Sequence, residues 1–233
     1  MILLDFKELF GSLSPNIFAS LIIVLVIMIF VTIVGILAKR HDPTKPTRGL
    51  LLLFEILVNW INNMCGDALG KRGRKFAPMI LTMAMFIFLS NIAGLFGLAN
   101  PTSNIAITVA LGFISFFMIQ GASIKYNGVK GYIKSYFEPS PIMLPINIVS
   151  EIVTPFSLGM RLFGNILSGS IILILIYNAL GLITIGGFPL GSILSVFLAP
   201  AFHAIFDVFF GAIQTYVFIF LTIIFISGKI PEE

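Results

Sequence analysis

The chain has 233 residues, of which 58% are hydrophobic and only 10% are charged, and its mean hydropathy is +1.07. These values exclude a water-soluble domain and predict an all-α, polytopic membrane protein with a single transmembrane domain. The net charge of +4 comes from basic residues between the apolar runs, which indicates membrane topology and not nucleic-acid binding. One cysteine excludes an internal disulfide, and two distant histidines make no metal site.

The amino-terminal half predicts three membrane spans and one interfacial helix. Residues 17–37 are an apolar run with no cleavage-site pattern after it, so we expect an uncleaved span and not a signal peptide. In residues 50–64 leucines and Trp60 share one helical face, while a glutamate and two asparagines lie away from it. This pattern predicts a helix lying in the membrane interface. Residues 77–98 and 105–122 are the second and third predicted spans.

The carboxyl-terminal half predicts a long helical hairpin. Residues 146–180 and 192–227 would each be about 50 Å long as helices, against about 30 Å of hydrocarbon. A glycine-rich turn at 181–191 joins them. We therefore expect two antiparallel helices that cross the membrane with a steep tilt or a bend. Three residues are the expected bend points: Pro155, Gly159 and Pro200.

Arg161 lies in the longest apolar region of the chain. A guanidinium at bilayer depth costs at least about 3 kcal/mol, so it needs a partner or a role. A static ion pair with Asp207 or Glu151 is one explanation. The other is a wet or partner-facing surface, which is favoured because a static pair does not need further polar residues on the same helical face. Those residues are Thr154, Ser157, Asn165 and Ser168.

The last helix carries a second polar stripe. At α-helical spacing His203, Asp207 and Gln214 fall close to one line, with Gly211 beside it. A helix–helix hydrogen bond explains Gln214 as well as an aqueous path does. If the hairpin brings both stripes together, one path is lined by Arg161, Asn165, Asp207 and Gln214.

The distribution of lysine and arginine predicts the orientation. With the amino terminus outside and five crossings, only Lys7 lies in an outer segment. This strong asymmetry places the carboxyl terminus in the cytoplasm. Twelve basic residues lie inside: Lys39, Arg40, Lys45, Arg48, Lys71, Arg72, Arg74, Lys75, Lys125, Lys130, Lys134 and Lys229.

Two sequence runs carry a resemblance to a known family. PFSLGMRLFGN at residues 155–165, followed by GAIQTYVFIFLT at residues 211–222, resembles subunit a of the F-type ATP synthase. Glu151 and Asn91 also match the pattern of this family. The resemblance covers residues 70–227, and the arginine-containing run is highly specific in a helical setting.

The resemblance implies a non-catalytic stator that faces a rotating ring of c subunits in the plasma membrane of a bacterium. Two offset half-channels would carry protons to and from the ring carboxylates. The implied partners are the c ring, the b subunits of the peripheral stalk, the rest of the F1F0 complex and the lipid bilayer. No cofactor is implied, and ATP chemistry would belong to partner subunits. Selectivity between proton and sodium would be set mainly by the ring, so the sequence leaves it open.

The resemblance also implies roles for individual residues. Arg161 would attract each deprotonated ring carboxylate and block a direct leak between the half-channels. Asn165 and Gln214 would position Arg161 and hydrate the ring-facing surface. Asp207 would be the titratable group of the outer half-channel, and Glu151 would belong to the cytoplasmic one.

One departure from the family pattern concerns the outer half-channel. Many bacterial members have a carboxylate where this chain has Ser170 and a histidine where it has Asp207. We expect that the carboxylate has moved to the facing helix, where His203 either modulates it or marks a helix boundary. Two other functions remain open: a stand-alone secondary transporter with an arginine–carboxylate gate, which would predict internal inverted repeats, and a non-conducting assembly scaffold.

Overall fold

A computed structural model describes residues 14–41, 46–137, 140–183 and 190–230. In these ranges the regular structure is helical, without β-strands, which confirms the predicted all-α class. Five helical segments are long and apolar enough to cross a membrane. These segments are Pro15–Arg40, Ala77–Phe96, Ile105–Ser135, Pro141–Gly181 and Ile193–Ser227.

Seven α-helices cover most of the described residues. In chain order they are α1 (Pro15–Arg40), α2 (Leu50–Leu69), α3 (Ala77–Ile92), α4 (Ile105–Ser135), α5 (Leu144–Gly181), α6 (Leu190–His203) and α7 (Phe210–Ser227). A π-helical segment, Ala204–Phe209, connects α6 to α7. The head segment with Lys7, the loop position Lys45 and most of the predicted hairpin turn lie outside the described residues.

Most apolar side chains of helix α1 are exposed on the surface of the molecule. Pro15 stands in its first turn, where the missing N–H has no intrahelical partner to lose, and Lys39 and Arg40 stand in its last turn. Cationic side chains there stabilise the negative end of the helix dipole. Only four residues of α1 are buried, which shows that it packs at the edge of the molecule: Ala19, Ile23, Ile27 and Val34.

Helix α2 has a buried stripe and a separate, mostly exposed apolar face. Ile61, Cys65 and Leu69 are buried, whereas Leu53, on the predicted apolar face, is 69% exposed. On that same face the ring of Trp60 stacks on Tyr216 of α7, with 6.0 Å between ring centroids. The apolar face predicted from the sequence is thus mostly outside the core, and a neighbouring stripe is buried. The placement of α2 in the membrane interface stays a prediction.

Helix α4 is longer than the apolar run that predicted it. It continues from Ile105 to Ser135, beyond residues 105–122, with a kink at Gly128, where φ is 68°. A positive φ is the conformation that glycine adopts without steric cost. The polar extension of α4 therefore turns away from the axis of its first part.

Helices α4 and α5 cross in close contact at two glycines. A Cβ atom added at Gly112 would lie 2.1 Å from the carbonyl oxygen of Pro155, and one added at Gly159 would lie 2.7 Å from that of Thr108. Small residues allow such an approach of two helix backbones. Helix α5 remains helical through Pro155 and Gly159, so the crossing fixes the segment just before Arg161. The steep tilt of the hairpin stays a prediction.

The last long helix is not α-helical throughout. Pro200 lies inside α6 and cannot donate a backbone hydrogen bond, and the π segment begins four residues later. A π turn takes up one more residue than an α turn, which rotates the flanking helices by about 100° relative to each other. The predicted alignment of Gln214 with His203 assumed an unbroken α-helix. That assumption is wrong.

Candidate ion path

Arg161 is exposed and makes no hydrogen bond or ion pair with the rest of the described chain. The static ion pair considered above is not formed, because Asp207 pairs with His203 and Glu151 pairs with Lys229. A cation on an apolar helix thus faces outward from the molecule.

Within the part of the chain that the structure describes, the other side chains of the α5 stripe make no hydrogen bond to another helix either. Thr154 Oγ1 donates to the carbonyl oxygen of Ser150 over 2.8 Å, and Ser168 Oγ donates to that of Gly164 over 2.7 Å. Both hydroxyl groups thus find their hydrogen-bond acceptors within α5. The stripe therefore presents a mildly polar surface that a partner can contact without breaking interhelical bonds.

Gln214 on α7 carries an unsatisfied polar group. Its Nε2 atom is buried and has no hydrogen-bond partner among the described residues, so the helix–helix hydrogen bond expected as an alternative is not formed by this donor. A buried donor without a partner carries a desolvation penalty of about 1–3 kcal/mol. Such a group suits a site where a partner or water supplies the acceptor.

The position of α7 beside Gln214 is fixed by Asn91. Asn91 Nδ2 donates to the carbonyl oxygen of Gly211 over 3.2 Å, and Asn91 Oδ1 accepts from Thr102 Oγ1 over 2.9 Å. A Cβ atom at Gly211 would lie 2.9 Å from Asn91 Cβ. Asn91 therefore ties α3 to α7 one helical turn before Gln214.

Asp207 and His203 form one pair on the last helix. His203 Nδ1 lies 2.7 Å from Asp207 Oδ2, and the two side chains are 40% and 14% exposed, respectively. The ring of Tyr177 on α5 lies 6.4 Å from the His203 ring, and its buried hydroxyl has no hydrogen-bond partner in the described chain. This cluster combines a carboxylate, an imidazole and a phenol, three groups that can bind or relay a proton.

Ser170 does not join that cluster through its hydroxyl group, which donates to the carbonyl oxygen of Leu167 over 2.9 Å. Its neighbour Gly169 does face the π segment, since a Cβ atom added there would lie 3.6 Å from Phe206. The two helices are therefore adjacent at the level of Ser170.

Glu151 lies near the other end of α5 and is bound on both carboxylate oxygens. Gln120 Nε2 of α4 donates to Oε2, and Lys229 Nζ, just after α7, donates to Oε1. Helices α4, α5 and α7 thus converge on this carboxylate. Among the described residues, no group of three His, Cys, Asp or Glu side chains could hold a metal ion.

The family model described as the ATP synthase A chain matches residues 18–227. The chain belongs to this family. The match includes all seven helices except the first residues of α1, and it covers each site residue discussed above except Lys229.

Curated relatives named ATP synthase subunit a support the same family. One from Bacillus pumilus is 31% identical over 235 residues, covering 92% of this chain and 93% of the relative. One from Mycoplasma genitalium is 33% identical over 228 residues, covering 90% and 77%. A relative from Propionigenium modestum, named as sodium ion specific, is 29% identical over 222 residues, covering 88% and 72%.

Membership of the subunit a family decides between the functions left open by the sequence. The chain is a multi-pass membrane subunit of an F-type ATP synthase complex and does not itself catalyse ATP synthesis. The stand-alone secondary transporter is not favoured.

The structure adds three residues to the site that sequence reasoning missed. Tyr177 had a visible signal, since it lies seven residues after Ser170 and hence on the same helical face. Gln120 was an intramembrane polar residue without a recognised partner. Lys229 had been counted only for topology, because its contact with Glu151 spans 78 positions of the sequence.

Proposed function

We propose that this subunit is the ion-translocating stator that faces a ring of c subunits, with Arg161 as the barrier between two half-channels. One observation carries the proposal: Arg161 is an exposed cation, while both neighbouring acidic residues of the hairpin are paired with other side chains. An intramembrane cation that no internal carboxylate neutralises needs an external anion. A carboxylate of the ring is such an anion.

The order of groups along α5 supports two separate half-channels. Glu151 precedes Arg161 by ten residues, and Tyr177 follows it by sixteen. At 1.5 Å per residue these separations are about 15 Å and about 24 Å along the helix axis. The acidic groups thus approach Arg161 from opposite ends, with Asp207 reached through His203 and Tyr177 at one end and Glu151 at the other.

The proposed roles follow from this arrangement. Asp207 takes up the ion in the outer half-channel, and Glu151 belongs to the cytoplasmic half-channel. Asn165 and the free Gln214 amide hydrate and position the ring carboxylate beside Arg161. The guanidinium attracts the carboxylate through its charge and through the planar fork of its N–H donors.

The assembly follows from the same proposal. The b subunits of the peripheral stalk hold the subunit static against the rotating ring. The amino terminus lies outside and the carboxyl terminus lies in the cytoplasm of a bacterial cell. The coupling ion is a proton or sodium, as the sodium-specific name of one relative illustrates.

The test is coupled ATP synthesis by the complete complex in liposomes under an imposed ion gradient. Arg161→Ala is expected to abolish coupled synthesis and leave only a passive leak. Arg161→Lys is expected to fail largely as well, because an ammonium lacks the planar fork of the guanidinium. Arg74→Ala, which removes another exposed arginine, serves as the control and should retain activity. Coupled synthesis by Arg161→Ala would contradict the proposal.

A further inference from the structure

Lys229 and Glu151 form an ion pair where three helices meet. Glu151 Oε1 accepts from Lys229 Nζ, and Glu151 Oε2 accepts from Gln120 Nε2. The Glu151 and Lys229 side chains are only 14% and 30% exposed. Both carboxylate oxygens are thus engaged, one of them by a lysine ammonium, and charge-assisted hydrogen bonds of this kind are stronger than neutral ones.

The lysine is held in place from two sides. Its carbonyl oxygen accepts from Asn127 Nδ2 over 2.7 Å, and its ammonium lies 5.7 Å from the centroid of the Tyr136 ring. The Tyr136 hydroxyl bonds that of Tyr132 over 2.7 Å, and Asn147 Nδ2 donates to the Tyr136 carbonyl over 2.8 Å. Both the backbone and the ammonium group of Lys229 therefore have defined partners in the fold, unlike those of an unconstrained surface lysine.

The state of Tyr136 suits this contact. Burial, together with the hydrogen bond to Tyr132 and the charge of Glu151, raises the pKa of Tyr136 above its usual range. The phenol thus stays neutral at physiological pH and offers its ring face to the ammonium as a cation–π partner.

Gln120 supplies a second, independent observation. Its Nε2 donates to Glu151, which orients the amide, while its Oε1 is buried and has no hydrogen-bond partner in the described chain. A buried acceptor of this kind needs a donor. A hydrated ion passing the Glu151 region can provide it.

We propose that Lys229 is a positioning residue of the cytoplasmic half-channel: it holds Glu151 as a fixed anion that orients Gln120, and it prevents Glu151 from trapping the ion. The ion then passes Gln120 Oε1 and does not bind the carboxylate. This inference rests on the proposed function and assigns a part in it to the carboxyl-terminal segment.

This role has a physical reason: within the ion pair each charge compensates the other, so neither acts on the passing ion alone. Without Lys229, Glu151 would be an unpaired carboxylate beside the path and would bind the passing cation. Without Glu151, Lys229 would be an unpaired cation that repels it. Removing one partner of a partly buried pair is worse than removing both.

The experiment is a double-mutant cycle on the complete complex, with ATP synthesis in liposomes as the measurement. Lys229→Gln and Glu151→Gln are each expected to lower the rate about tenfold, the size typical of a direct coupling between contacting charges. The double variant should recover to within about threefold of wild type, and Lys229→Arg should stay near wild type. Lys130→Gln, which removes an exposed lysine on the extension of α4, is the matched control.

Two results would overturn the inference. One is an unchanged rate for Lys229→Gln, and the other is a double variant slower than either single one. If Lys229→Gln does not accumulate, infrared spectra of wild type and Glu151→Gln decide instead. A protonated-carboxyl band at neutral pH that is present in wild type and absent in Glu151→Gln would show that Glu151 is not a fixed anion, and its absence would support the inference.

The Arg161→Ala variant separates this inference from the proposed function. If Arg161→Ala still couples, the proposed function is wrong and the inference falls with it. If Arg161→Ala is inactive but the Lys229 variants synthesise ATP at the wild-type rate, only the inference is wrong.

Discussion

At the scale of single residues, the structure assigns each acidic group of the hairpin a different partner. Asp207 pairs with a histidine, whereas Glu151 pairs with a lysine. In the proposed mechanism the two half-channels would therefore differ: one would contain a carboxylate–imidazole pair and the other a carboxylate–ammonium pair.

Asp207→Asn tests the role of the outer carboxylate. An amide cannot take up and release a proton, so ion-driven ATP synthesis should fall by about a hundredfold, the lower end of what a positioned proton-transfer group contributes. Asp67→Asn, the same change at an exposed position of α2, should leave the rate unchanged.

A second substitution tests whether the carboxylate has moved across the hairpin. Ser170→Asp in the Asp207→Asn background should restore part of the activity. The reason is that α5 and the π segment are adjacent at this level, since a Cβ atom added at Gly169 would lie 3.6 Å from Phe206. If Asp207→Asn alone kept full activity, the assignment of this residue would be wrong.

At the scale of elements, the glycine crossing of α4 and α5 sets the position of the arginine. Gly159→Ala places a Cβ atom 2.7 Å from two backbone atoms, Thr108 O and Val109 Cα, and backbone atoms cannot rotate away. We expect a loss of about 1–3 kcal/mol in the free energy of unfolding of the membrane subunit, measured as a lower thermal midpoint of the purified complex.

The control for this substitution is Gly121→Ala on α4, where nothing lies within 4 Å of the added Cβ atom. It should be neutral or stabilise the helix by up to about 1 kcal/mol. Equal thermal midpoints for both variants would show that the helices separate without cost, contrary to the expected close crossing.

The sequence predicts the helices well and their interruptions poorly. Apolar runs identify all five candidate membrane-crossing segments, because a helix that crosses the hydrocarbon core needs about 20 mostly apolar residues. The extension of α4 to Ser135 escapes a hydropathy argument, since polar residues continue the helix with tertiary contacts such as Asn127 to Lys229. The π segment escapes because every argument from helical faces assumes a constant rotation per residue. The polar stripe alone predicts that Arg161 faces outward. That neither Asp207 nor Glu151 pairs with it becomes visible only in the structure, where both carboxylates have other partners.

At the scale of the whole molecule, basic segments that are distant in sequence meet at one end. Arg72 lies over the ring of Tyr126 at 5.2 Å, Asn127 binds Lys229, and Ser227 Oγ donates to the carbonyl of Ala68 over 2.8 Å. This common basic end is what the positive-inside rule expects of the cytoplasmic face.

Cysteine labelling of intact cells tests the orientation. A cysteine at Phe96, which is 76% exposed, should react from outside with a membrane-impermeant maleimide. A cysteine at the exposed Arg74 should react only after permeabilisation. The opposite pattern would invert the topology.

The native Cys65 can stay in place during that experiment. It is fully buried, and burial raises the pKa of its thiol to about 11. A raised pKa leaves less of the reactive thiolate at neutral pH, so Cys65 should remain unlabelled.

The π segment divides the last membrane-crossing helix into two halves whose side chains are rotated relative to each other about the helix axis. Its first half, with His203, faces α5 beside Tyr177, whereas its second half, with Gln214, is turned by about 100° relative to an unbroken α-helix. A single additional residue thus lets one helix present the His203–Asp207 pair in one direction and the Gln214 amide in another. In the proposed mechanism, an insertion of one residue would therefore separate the two half-channels laterally. A deletion of one residue between Ala204 and Phe209 would bring both halves of the helix back into register.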